Sequence, residues 1–154
     1  MKGRWRAVGV LAGSLFAVNV VARVVIKLGF DGNDSAADRV TWGMFLAIGA
    51  ILAVTAFRWG QDHPVSRWAG DTAAAVGIAL LLTILVGPLL VGANPFGNGA
   101  GTFFLQVWLY LAAAAAGVLV GFLTLTALGR DHRSVQLQRY AEFKTSRPRR
   151  PVRR

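Results

Sequence analysis

The chain has 154 residues, 55% of them hydrophobic, with a formal net charge of +10 and a mean hydropathy of +0.50. A soluble domain of this size needs polar residues spread along it to cover its surface, whereas here polar and apolar residues are sorted into blocks, as in a membrane protein. The apolar content excludes a disordered chain. The absence of cysteine excludes a disulfide-stapled domain and zinc-thiolate, iron–sulfur or cysteine-nucleophile chemistry.

A bilayer core about 30 Å thick takes roughly 20 apolar helical residues. The first such window runs from about Val8 to Leu28. The basic segment ahead of it resembles the start of a signal peptide, but the apolar run continues past Val20 and Ala22, which predicts a retained span. Gly9 and Gly13 form a GxxxG pattern that suits close helix contact, within the bundle or between copies. Asn19, Arg23 and Lys27 recur at spacing four and share one face. An ionised side chain at the membrane centre costs at least ~2.5–3.5 kcal/mol, so the depth of Arg23 decides its reading. The leading expectation is that Arg23 and Lys27 snorkel outward toward Asp31 or Asp34. The alternative turns the stripe inward and offers Asn19 and Arg23 to an anion, a lipid headgroup or a partner's carboxylate.

The stretch Asp31 to Ser35 begins like a calcium loop, but Ala36 stands where the turn glycine is needed and Trp42 where the bidentate Glu belongs. A capped polar loop is expected instead, with Ser35 and Asp38 as a variant capping box. The second span is about Thr41 to Phe57, followed by an exposed turn at Asp62-His63-Pro64. Asp71 is placed to cap the third span, about Ala73 to Gly92, in which Gly87-Pro88 predicts a local break. A turn-rich loop at Asn94 to Gly99 leads to the fourth span, about Thr102 to Leu128. There Ala113, Gly117 and Gly121 repeat every four residues as a second packing stripe. Ser14 and Thr83 are expected to bond back to the helix or to a neighbour.

The last segment, 130–154, carries nine basic residues: Arg130, Arg133, Arg139, Lys144, Arg147, Arg149, Arg150, Arg153 and Arg154. Against Asp131 and Glu142 they leave +7 of the total charge in this tail. Its first half, Ser134 to Thr145, predicts a weakly amphipathic helix, and the proline-rich remainder predicts disorder.

These features predict an all-α membrane protein with four transmembrane helices, short loops and a basic C-terminal tail. Residues 1–129 form the transmembrane domain and 130–154 the tail. Fourteen Lys and Arg gather on the side of both termini, against Lys27 and Arg39 on the other, which predicts cytoplasmic termini in a plasma membrane. Trp5, Trp42, Trp59 and Trp68 fall at span ends, where an indole ring suits the headgroup level, and Trp108 sits about two turns inside the fourth span. Arg outnumbers Lys fourteen to three amid abundant Ala, Gly and Val, a composition that resembles high-GC bacterial proteins.

No Asp, Glu or His falls inside a span, so no proton relay, metal site or catalytic constellation is expected, and no cofactor. The expected role is a non-enzymatic accessory, assembly or regulatory component. Its tail would meet anionic lipid of the inner leaflet or a membrane-protein partner, and a homo-oligomer fits the small-residue stripes. Nucleic acid is not an expected partner, because no recognisable binding fold accompanies the charge. A small channel, transporter or holin-like pore is the alternative.

Overall fold

The computed structural model describes residues 2–29, 34–90, 92 and 99–146. They form α1 (Lys2–Gly29), α2 (Asp34–Asp62), α3 (Val65–Leu90), α4 (Gly99–Ala127) and α5 (His132–Ser146). The first four are long and apolar enough to cross a membrane. At 1.5 Å per residue each is about 40 Å long, so their ends project beyond the hydrocarbon. Large apolar side chains stand exposed on every one of them, among them Val10, Leu46, Leu81 and Leu119. Such surface is costly in water and ordinary against lipid. The calcium-like residues Asp31 to Asn33, the loop Asn94 to Asn98 and tail residues Arg147, Arg149, Arg150, Arg153 and Arg154 lie outside the described residues.

The helices outrun the apolar windows, which corrects several expectations. α2 begins at Asp34 and α3 at Val65. Ser35 and Asp38 therefore stand inside the first turns of α2 and Asp71 inside α3, so none of them is the expected cap. Hydropathy marks the thickness of oil, whereas a helix continues for as long as its hydrogen bonds do. The expected break at Gly87-Pro88 is also absent, because α3 runs on to Leu90. Pro88 lies in the last turn, where its missing N–H deprives only the Ile84 carbonyl.

The four long helices pack as two parallel pairs. α2 lies along α4, α1 lies along α3, and α1 joins the pairs by packing antiparallel to α2. The backbones of α1 and α4 do not approach one another, which puts them at opposite corners. The α2–α4 pair rests on backbone contact. A Cβ added to Gly117 would lie 2.7 Å from Gly49 Cα, and one added to Gly121 would lie 2.8 Å from Ala53 Cα. Only glycine fits at either position, and the closeness supplies the van der Waals attraction that lipid does not. Ala113 belongs to the same seam, its carbonyl facing Gly49. Gly9 and Gly13 differ: nothing lies within 4 Å of a Cβ on either, so the contact expected of them inside the bundle is not made. Both face outward.

Leu15, Ile48, Leu52, Ala75 and Ala79 fill the middle of the bundle with no exposed surface. Thr41, Thr55 and Thr124 donate their hydroxyls to the carbonyl four residues earlier, which satisfies them within their own helices. At the far end α4 closes with Gly129 at φ +61°, Gly129 N–H donating to Thr126 O and Arg130 N–H to Leu125 O. This left-handed glycine stop turns the chain into α5.

Candidate functional site

An amide–guanidinium pair, Asn19 with Arg23, lies near the end where α1 and α3 finish and α2 and α4 begin. Asn19 is only 1% exposed, and its Nδ2 donates to Met44 Sδ of α2 at 3.1 Å. One turn on, Arg23 Nε donates to Asn19 Oδ1 at 2.9 Å. The pair is seated against α3 at Gly87, where a Cβ would lie 3.0 Å from Arg23 Nε and 3.2 Å from Asn19 Oδ1. The leading expectation for Arg23 is thereby corrected. It is half-buried and turned into the bundle, because the missing side chain of Gly87 leaves room for a guanidinium. Lys27, at the same spacing, is exposed near the end of α1.

Beside this pair is a cavity of about 550 Å³ lined by residues of all four long helices. Asn19, Arg23, Asp38, Thr41, Thr102 and Gln106 give it polar groups, and Ile26, Phe45, Phe103, Leu105 and Leu109 give it apolar walls. Asp38, Gly99, Thr102 and Leu105 are exposed, so the cavity opens to the surface. One turn below its floor, Thr83 Oγ1 and Tyr110 Oη are buried without a hydrogen-bond partner. Thr83 thus departs from the back-bonding expected of it, whereas Ser14 Oγ does donate to Leu11 O at 2.8 Å. Met44 and Gln106 also belong to this site, Met44 with no polar signal in the sequence to mark it. Gln106 is the lone amide within the fourth apolar window, a signal of the same kind as Asn19 in the first.

The opposite end is tied by an ion pair beside a smaller hollow of about 210 Å³ lined by Trp59, His63, Arg67 and Trp68. Arg4 Nε donates to Asp71 Oδ1 at 2.7 Å, which ties the start of α1 to α3. Trp68 is 3% exposed, tilted against Phe122 with ring centroids 6.0 Å apart, and close to Gly60. Its ring packs inside the bundle and is not offered to the surroundings. Trp5, Trp42 and Trp108 are exposed. His63, Asp131 and His132 line a hollow of about 310 Å³ where the α2–α3 turn meets the start of α5.

Asp131 caps α5, its Oδ2 accepting from Ser134 N–H at 3.3 Å. Hydrogen bonding from Ser134 holds the Asp131 carboxyl below the usual carboxylate range. From this cap α5 carries Leu137, Tyr140 and Phe143, all exposed, among Arg133, Arg139 and Lys144. Arg130 is exposed just ahead of it.

Comparison of the chain with protein-family models, with curated proteins and with solved structures gives no match.

Proposed function

We propose that the chain is a non-enzymatic accessory, assembly or regulatory protein of the bacterial plasma membrane, with both termini in the cytoplasm. It would hold α5 and the basic tail at the inner leaflet for contact with anionic lipid and a membrane-protein partner. The observation that carries this reading is α5 itself, a capped helix that presents Leu137, Tyr140 and Phe143 at the surface, each more than 60% exposed, beside Arg139 and Lys144. Apolar and aromatic groups interleaved with cations suit a helix lying in the headgroup layer, where each cation adds about 1 kcal/mol of attraction. The pore alternative draws on the Arg23 cavity, but the layer of Leu15, Ile48 and Leu52 beneath it counts against a continuous polar path.

The test is copurification from native membranes in mild detergent, with and without residues 130–154. A partner that depends on the tail supports the reading, and an unchanged set of partners sinks the tail's part in it. Flux assays on liposomes holding only this protein address the alternative, since robust Arg23-dependent permeation would replace the accessory role. For orientation, single cysteines at Ser35 and Ser66 are expected to label from outside and inside respectively. The reverse pattern overturns the topology.

A further inference from the structure

We infer that the cavity at Arg23 is a binding site for one anionic headgroup, a phosphate or carboxylate held by the guanidinium, with an apolar chain running along the phenylalanine and leucine wall. A guanidinium carries five N–H donors, and Arg23 gives one to Asn19. It makes no ion pair and no other hydrogen bond with any described residue. Its remaining donors suit the planar, two-point grip that carboxylates and phosphates accept. Asn19 fixes the orientation. It is locked between Met44 and Arg23, and Gly87 is shaped around both, so the fork is held in place before any ligand arrives.

The surroundings choose the class of ligand. α4 starts at Gly99 with no acidic residue in its first turn, so the positive end of this helix opens at the cavity rim. Asp38 is the opposing charge there; it is exposed and forms no ion pair with Arg23. Phe103, Leu105 and Leu109 carry the wall away from Arg23 and out to the exposed face of α4. A free inorganic anion would use only the polar half of this space. An amphiphile with an anionic head uses both halves, and the membrane supplies such molecules at high local concentration.

The experiment uses the full chain in phosphatidylcholine nanodiscs containing a minor fraction of phosphatidylglycerol, with retained lipid counted by native mass spectrometry. The wild type is expected to keep one phosphatidylglycerol in preference to phosphatidylcholine, and Arg23→Leu to lower that occupancy at least tenfold. Removing residues 130–154 should leave it in place, which separates this site from attraction to the tail. Asp38→Asn should raise occupancy. Gln106→Phe, which fills the cavity from α4 and leaves Arg23 in the sequence, should lower it and serves if Arg23→Leu does not fold. A parallel thermal-unfolding series with inorganic phosphate in neutral lipid distinguishes the source. Stabilisation that depends on Arg23 and equals that from phosphatidylglycerol supports the anion site but assigns it to a soluble anion. Equal retention of phosphatidylglycerol by wild type and Arg23→Leu, or no preference over phosphatidylcholine, overturns the inference.

Discussion

At the tail end of the bundle Arg4 meets the carboxylate of Asp71, Trp68 is buried beside a hollow of about 210 Å³, and Gly129 and Asp131 turn and cap the chain. At the other end Arg23 meets, among the described residues, only the amide of Asn19, and a cavity of about 550 Å³ stays open beside it. At the first end one cation, Arg4, finds a carboxylate on a neighbouring helix, and Asp131 is bonded within its own helix. The second holds a charge one to two turns inside, where an unsatisfied cation is costly. The two ends therefore differ in what their hollows hold: the smaller one at the tail end adjoins a paired Arg4, whereas the larger one adjoins a cation bonded to an amide.

The sharpest way to break this contrast is to hollow out the tail end. Trp68→Ala removes a large buried ring and is expected to cost roughly 3 kcal/mol, read as reduced thermal stability of the purified protein. A loss no larger than that of a surface substitution would mean that Trp68 is not part of its packing. Next, Gly87→Leu forces a side chain into the space of Arg23 and Asn19 and is expected to cost about 1–3 kcal/mol through overpacking. Without the seat, Arg23 should become reactive to a water-soluble arginine reagent.

A smaller effect is expected from Arg23→Leu measured in neutral lipid, within about 1 kcal/mol of wild type, because replacing a partly buried charge by an apolar side chain is often neutral. A large loss of stability there would make Arg23 a structural residue. Arg4→Gln should weaken the α1–α3 tie slightly, with the difference vanishing at high salt, as for other exposed pairs. The smallest change concerns the cap of α5. The Asp131 carboxyl is lowered in the folded chain, so its contribution is present above the ordinary carboxylate range and fades as pH falls through the lowered value. Relative to the intrinsic amide rates at each pH, protection from hydrogen exchange at the start of α5 should fall on acidification in wild type and change little in Asp131→Asn.

The four spans were legible because apolar runs of bilayer length have few other uses. Their ends were not. Asp34 to Val40 and Val65 to Thr72 are polar or mixed enough to read as loops, yet they continue helices whose tips leave the hydrocarbon. Packing partners were legible in kind and not in place. Gly9 with Gly13 and Gly117 with Gly121 carry the same spacing, and only the helix opposite separates a seam from an outward face. Arg23 shows the same limit. Its stripe with Asn19 was visible at once, whereas its direction depends on Gly87, a residue on another helix that had been marked only as part of a break.

That dependence has an order in time. Arg23 and Gly87 are 64 residues apart, so at synthesis rates of about 5–20 residues per second the seat emerges roughly 3–13 s after the residue it receives. Until α3 is made the guanidinium has no Gly87 seat, and a nascent α1 is expected to send Arg23 toward the bilayer surface. Outward snorkelling is then the arrangement expected before α3 arrives, and the seated pair belongs to the finished bundle.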